Sequence, residues 1–234
     1  MSTLHAAGVW VSDGRRMLLA PTTASVSTGE IVAVHGDPGH RHTLFALALG
    51  GRLAEARGEV DVDGDASAAT RQRQVALVDV PGVSEPDDVS ALTTVVGEEL
   101  AMAGRPAGRG PVDHWLTTNG LRPHRDDRIE DLPAGLRTLA LARLASLRPG
   151  VQFLVLALPE RNGIDPEAWL EDAIALADAG FGVLATMSTG IARHVERDHP
   201  GIRTVPFGNA EFTGAEFTGA EPDDDEPRTT EDDR

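Results

Sequence analysis

The chain has 234 residues, 41% of them hydrophobic, enough for one domain with a subdomain or for two small domains. Lys and Arg total 21 against 37 Asp and Glu, a formal net charge of -16, which excludes the basic footprint of a nucleic-acid-binding protein and would be repelled by an anionic membrane surface. No cysteine is present, so disulfides and thiolate metal sites are excluded. The first residues lack the basic-then-apolar pattern of a signal peptide, and no apolar run approaches the ~20 residues that span a bilayer. The expectation is a soluble, cytoplasmic chain that reaches the inner face of a membrane only through a partner.

In chain order, residues 8-12, 17-20 and 24-26 are short apolar or β-branched segments broken by Gly, Pro and Thr, which predicts a β-rich start. Thr28-Gly29-Glu30 makes a turn, and Ile31 to Val34 is a continuous apolar strand of the buried type. Then comes Gly36-Asp37-Pro38-Gly39-His40-Arg41-His42-Thr43, followed by the apolar, helix-like run Leu44 to Leu49. This is the frame of a phosphate-binding loop, G-x-x-x-x-G-K-[ST]. Gly36 and Thr43 hold its first and last positions, Arg41 stands where the second glycine belongs, and His42 stands where the lysine belongs. The chain contains no lysine at all, so none can substitute from elsewhere. A general replacement of lysine by arginine does not account for His42.

Gly58 to Gly64 alternates like a half-exposed strand and ends in an Asp-Gly turn, and Val75 to Val78 is another buried strand. Residues 82-135 change character and predict a helical insert, with helices at 91-103 and 112-119. Glu98 and Glu99 are expected on its solvated face. Within 136-147, Leu136, Leu139, Ala140, Leu144 and Leu147 share one helical face and should be core. Phe153 to Leu158 is the best central strand, Pro166 to Ala179 a helix with Asp165 as its N-cap, and Val183 to Met187 a further strand. Alternating strands and helices imply a parallel sheet. Trp10, Trp115 and Trp169 are expected in core or subdomain contacts. At the end, Glu211-Phe212-Thr213-Gly214-Ala215 repeats as Glu216 to Ala220. Residues 221-234 then carry eight acidic residues and two arginines, a net -6 that predicts disorder and reads as a solubilising extension ahead of an interaction or autoinhibitory tail.

Taken in order, these motifs resemble the ATP-binding subunit of an ABC transporter (an ATP-binding cassette ATPase) over about residues 4-208. Gly29-Glu30-Ile31-Val32-Ala33 is similar to the family's G-E-x-x-A lead into the phosphate loop, and Gly58 to Gly64 to its G-x-V-x-x-x-G hairpin. Leu132-Pro133-Ala134-Gly135-Leu136 sits where the family has L-S-G-G-Q, and Leu139 to Arg143 resembles its A-L-A-R helix. Phe153 to Leu156 stands as the Walker B strand, and Asn162-Gly163-Ile164-Asp165-Pro166 is close to the G-L-D-P turn, one residue further from Pro159 than usual. The implied fold is an α/β P-loop NTPase of the ABC-ATPase type, with an N-terminal antiparallel β subdomain and an inserted helical subdomain. It would occupy residues 1-209, with residues 210-234 as the disordered acidic tail.

The resemblance implies head-to-tail dimers, with each ATP between the phosphate loop of one subunit and the signature loop of the other. It also implies a glutamate after the Walker B strand to polarise water and a later histidine to sense the γ-phosphate. At those positions this chain carries other residues. His42 replaces the lysine, Ala157 the Walker B aspartate and Leu158 the catalytic glutamate. Ser188 falls at the switch histidine, Val80 near the Q-loop glutamine, Asp13 near the adenine-stacking aromatic (Trp10 lies three residues before it), and Pro133 at the signature serine. Removing one preorganised electrostatic group typically lowers a rate by ~10²-10³, so three losses imply hydrolysis near background even without additivity. Strand register points Glu160 away from the site, although the one-residue insertion would let it swing in.

The expected nucleotide-binding residues are Gly36, Gly39, Arg41, His42 and Thr43, the last a Mg²⁺ ligand by resemblance, with ATP and Mg²⁺ bound weakly or not at all. His40, Arg41 and His42 read either as a replacement anion site, with Arg41 gripping a phosphate, or as a solvated loop. His40 and His42 lack a third ligand, so no metal site is expected there and no catalytic residue is assigned. The implied partner is a membrane permease or a second ATPase subunit. Two other readings stay open: an ATPase subunit completed by its partner, and a repurposed anion-binding module.

Overall fold

The computed structural model describes residues 1-163 and 165-211. The EFTGA repeat beyond Glu211 and the acidic tail lie outside the described residues, as does Ile164 in the G-L-D-P-like turn.

The apolar alternation of the first sixty residues builds a three-stranded antiparallel sheet in the order β2-β1-β4, from β1 (Thr3–Ser12), β2 (Met17–Ser27) and β4 (Arg57–Val62). Its inward positions are Leu4, Ala6, Val9 and Val11 on β1, Leu19, Ala24 and Val26 on β2, and Val60 and Val62 on β4, all buried. The three short segments read from sequence are thus two long strands. Pro21 and the threonines interrupt the hydrophobic pattern but not the ladder, because β2 is an edge strand and edge strands tolerate proline.

The second sheet is parallel throughout, in the order β5-β6-β7-β3-β8. It comprises β3 (Ile31–Gly36), β5 (Val75–Val78), β6 (Phe153–Ala157), β7 (Gly182–Ser188) and β8 (Arg203–Pro206). β5 and β6 are buried at every residue, as expected of strands covered on both faces. On one face lie the antiparallel sheet and α1 (Arg41–Leu49), which place Phe45 and Leu49 against Val32, Val34, Phe153 and Val155. On the other face lie α5 (Ala134–Ala145), α6 (Pro166–Asp178) and α7 (Thr189–Asp198), together with the helical insert carrying α3 (Leu92–Met102) and α4 (Arg109–Thr118). Between β4 and β5 runs the short α2 (Ala68–Gln74).

Helix termini follow the local chemistry. The Asp165 carboxylate accepts the Glu167 N–H at the start of α6, and Pro166 follows in the first turn. α5 begins instead at Pro133, which supplies no side-chain cap. The α5 face is core as expected at Ala140 and Leu144, but Leu141, Ala142 and Ala145 are buried as well. Trp169 is buried and Trp115 packs on the same cluster, whereas Trp10 is half-buried towards the end of β1, opposite Arg57 of β4. Glu99 is not on a solvated face: its carboxylate accepts from the Arg148 guanidinium at 2.7 Å, which pins the insert to the end of α5.

One glycine has no substitute in the antiparallel sheet. Gly58 sits at φ 87°, and a Cβ built there would lie 2.5 Å from the Gly8 carbonyl oxygen and 2.7 Å from that of Ala7. Both the left-handed backbone and the close approach of β1 exclude a side chain. Gly58→Ala should therefore lower stability by at least about 2 kcal/mol in urea unfolding, whereas Gly64→Ala, where no atom lies within 4 Å, should cost about 1 kcal/mol.

Candidate functional site

The phosphate-loop frame holds in three dimensions. β3 ends at Gly36, which pairs with Ser188 of β7. The exposed turn Asp37-Pro38-Gly39 follows, Gly39 adopts φ 152°, and α1 starts at Arg41 with His40 as its N-cap residue. Strand, turn and helix therefore present backbone N–H groups at a helix N-terminus, the feature that favours an anion. Gly36, Gly39, Arg41, His42 and Thr43 are all brought to this turn.

What the side chains do there differs from expectation. His42 belongs to no cationic, solvated cluster. Its side chain is fully buried, with Nε2 3.2 Å from the Asp37 carbonyl oxygen and its ring edge-on to Phe207 at 5.0 Å between centroids. Burial pushes its pKa down from 6.5 to about 4, against a smaller upward pull from the Asp37 carbonyl, and the Arg41 charge adds to the depression. His42 is thus neutral at pH 7 and spans the turn from inside. Phe207, one residue beyond β8, reinforces it. Its N–H donates to the His35 carbonyl, its ring meets Phe45 edge-on at 5.6 Å, and a Cβ on Gly36 would lie 2.9 Å from its ring. Sequence reading did not single out Phe207. Its only signal is an aromatic residue closing a short β-branched segment.

A second feature escaped the sequence reading. Asp79, just past β5, is buried at φ 51°. Arg137 of α5 grips it with Nη2 at 2.9 Å and Nε at 3.2 Å, and Nη2 of Arg161 approaches the same carboxylate at 3.0 Å. Arg137 also reaches Asp88 at 2.9 Å, while Arg161 reaches Glu85 at 3.4 Å and donates to the Ala157 carbonyl at 3.0 Å. Five charged groups thereby knit together the end of β5, the start of the insert, the first turn of α5 and the turn after β6. The sequence resemblance sets the Q-loop, the signature helix and the Walker B strand at these segments. An aspartate in the apolar run VALVDVPG and an arginine in the apolar helix AGLRTLALA were the available signals.

The remaining positions complete the picture. Val80, expected near the Q-loop glutamine, is wholly buried, and Ala157, expected at the Walker B aspartate, is buried. Leu158 adopts φ 50°, donating its N–H to the Thr186 carbonyl. Glu160 does turn inward, contrary to the strand-register expectation. The left-handed backbone at Leu158 and the 3₁₀ turn at Pro159–Asn162 re-aim it, and its Oε1 accepts the Ser188 N–H at 2.6 Å. Since Ser188 pairs with Gly36, a carboxylate stands beside the strand end that leads into the phosphate loop.

Two measurements follow from this geometry. The folded His42 takes up its proton near pH 4 and the unfolded imidazole near 6.5, so its contribution to stability is complete above pH 6.5 and disappears as the pH falls towards 4. Urea unfolding should lose about 2 kcal/mol between pH 7.5 and pH 5 on this account, and His42→Leu should remove that part of the slope. Arg137→Leu, which leaves the buried Asp79 carboxylate to Arg161 alone, should cost about 3 kcal/mol. Adding Asp79→Asn should restore part of that loss in a double-mutant cycle.

No family model matches the sequence. A cytochrome c biogenesis ATP-binding export protein, CcmA of Xanthomonas axonopodis pv. citri, is 33% identical over 136 residues. That match covers 57% of this chain and 62% of the relative's own length, less than two thirds of it. Among solved structures, an ABC transporter ATP-binding protein from Pyrococcus furiosus superposes with a TM-score of 0.65 at 12% identity, covering 91% of this chain and 100% of the other. A nucleotide-free ATP-binding cassette from an ABC transporter superposes with a TM-score of 0.65 at 14% identity, covering 92% and 90%. The fold is the ABC-ATPase fold: an antiparallel sheet at the N-terminal side, a parallel core sheet and an inserted helical segment. The chain therefore shares the fold of ATP-binding cassettes over most of its length, and is similar in sequence to an ATP-binding export protein over more than half of it.

Proposed function

We propose that this chain is an ATP-binding-subunit-like protein that no longer hydrolyses ATP and acts structurally, or as a regulator, on a membrane permease or a second ATPase subunit. The observation that carries the reading is His42: a neutral, fully buried imidazole spans the turn where a lysine ammonium would meet the β- and γ-phosphates. Ala157 offers Mg²⁺ no support, and Leu158 can neither accept a proton nor orient water. Glu160 adds negative charge beside the turn, where a triphosphate would need positive charge. The Asp79–Arg137–Arg161 cluster supports the same reading, because buried ion pairs at the junction of core and insert oppose relative movement of the two. On this view residues 1-209 are the working domain, and Gly36, Gly39, Arg41, His42 and Thr43 are a relic of the nucleotide loop. The chain is held at the cytoplasmic face of a membrane only through its partner. No helix of the described residues is long and apolar enough to cross a bilayer.

A working subunit is the second reading, favoured by the relative's name as an ATP-binding export protein and by the retained Thr43 hydroxyl. Phosphate release by the purified chain with MgATP separates the two. We expect turnover at the buffer background, unchanged by Thr43→Ala. Magnesium-dependent turnover that falls ~10²-fold or more in Thr43→Ala would establish the working subunit instead.

A further inference from the structure

In the helical insert, the end of α3, the loop after it and one face of α4 enclose a cleft of about 520 Å³. Leu100, Pro106, Pro111 and Trp115 line it with apolar surface, and Trp115 is half-buried because it also packs on the core. Arg105 and His114 bring polar groups to the same cleft. Among the described residues no carboxylate lines it, and neither the Arg105 guanidinium nor the His114 ring has a hydrogen-bond or ion-pair partner. In a chain of net charge -16, an apolar cleft beside an unpaired cation fits an acidic segment that carries an aromatic side chain.

The chain holds such a segment twice. Glu211-Phe212-Thr213-Gly214-Ala215 repeats as Glu216 to Ala220, and residues 221-234 add eight acidic residues against two arginines, a net -6. Solubility calls for carboxylates, not for a phenylalanine at the same place in each repeat. The repeat phenylalanines cannot reach the cleft of their own chain. Just before the repeat, the Asn209 side-chain amide pairs with the Thr23 N–H at 2.7 Å and the Thr23 carbonyl at 2.9 Å, and the Ala210 N–H donates to the Pro21 carbonyl at 3.1 Å. The chain is thereby held at the β2 edge of the antiparallel sheet. From there the core sheet, then α5, then α3 and α4 follow as successive layers, each roughly 10 Å further and about 30 Å in all. Phe217 is six residues beyond Glu211, and such a length spans at most ~20 Å fully extended. A second copy meets no such limit.

We propose that the cleft takes the Glu-Phe-Thr-Gly-Ala repeat of a second copy of this chain, with a repeat phenylalanine against Trp115 and its neighbouring glutamate on Arg105. Glutamate and phenylalanine are adjacent in each repeat, so one short segment supplies both the apolar anchor and the charge. Exchange of repeats in both directions closes a two-fold dimer. The tandem arrangement raises the local concentration of the docking segment. The acidic residues that follow speed the encounter and make it salt-dependent. Arg109, which opens α4, adds a second guanidinium without an ion pair among the described residues.

Sedimentation velocity of the full-length chain, run over a range of concentrations at low and high salt, tests the proposal. We expect a monomer–dimer equilibrium whose dissociation constant rises with salt. The double substitution Phe212→Ala, Phe217→Ala should weaken association at least ~10-fold. Arg105→Glu, at an exposed position outside the core, should weaken it about 10-fold. An equimolar mixture of those two variants should dimerise better than either alone, because the first keeps an intact cleft and the second an intact repeat. A chain that stays monomeric up to ~0.5 mM would overturn the proposal. So would a dimer that the phenylalanine substitutions leave unchanged, which would place the interface elsewhere, or a mixture that associates no better than its separate components.

Discussion

The Asp79 carboxylate is taken out of water at the junction of the core sheet and the helical insert, and that step constrains everything around it. A buried, unpaired carboxylate is too costly to keep. The chain must therefore deliver guanidinium groups to that point, from α5 through Arg137 and from the turn after β6 through Arg161. Each arginine is tied in turn to the insert, through Asp88 and Glu85. Segments widely separated in sequence are thereby held in one relative position. The ion pairs join protein to protein and need no ligand to complete them.

Internal contacts hold the turn before α1 in the same way. A lysine there would keep its ammonium available to phosphate. His42 buries an uncharged ring, contacts a loop carbonyl and is backed by Phe207, whose ring also closes on Gly36 and Phe45. The helix N-terminus still offers its orphan N–H groups, so some attraction for anions persists. A neutral imidazole lies inside the turn, the Glu160 carboxylate stands at the neighbouring strand end, and Arg41 opens the helix beside them. Packing of His42 and Phe45 on Phe207 holds strand, turn and helix together.

The strands and helices were legible wherever burial imposes a simple period. β5 coincides with the predicted Val75 to Val78, and α6 begins at the Asp165 cap and Pro166 as the capping chemistry required. The phosphate-loop frame and the helical insert were legible because glycine spacing and a change of composition mark them. β8 and α7 were not read. β8 has only four residues, and the marked amphipathicity of α7 is masked in sequence by its charged residues. Side-chain fates were the least legible. A histidine beside an arginine in an exposed-looking turn gives no sign that an aromatic residue 165 positions later will cover it. An aspartate in an apolar run signals burial only once its arginines are known to converge from two other elements. The inward turn of Glu160 depends on the left-handed backbone at Leu158, a conformation that leucine rarely adopts.

The central proposal is that internal contacts keep the turn before α1 closed to nucleotide. Native-state hydrogen exchange, followed at residues 36-45 and 79-102 with and without saturating MgATP, tests it most directly. Slow exchange in α1 and α3 that is the same with and without nucleotide is the predicted result. Protection that appears in the turn and at the junction with the insert only when MgATP is added would contradict it.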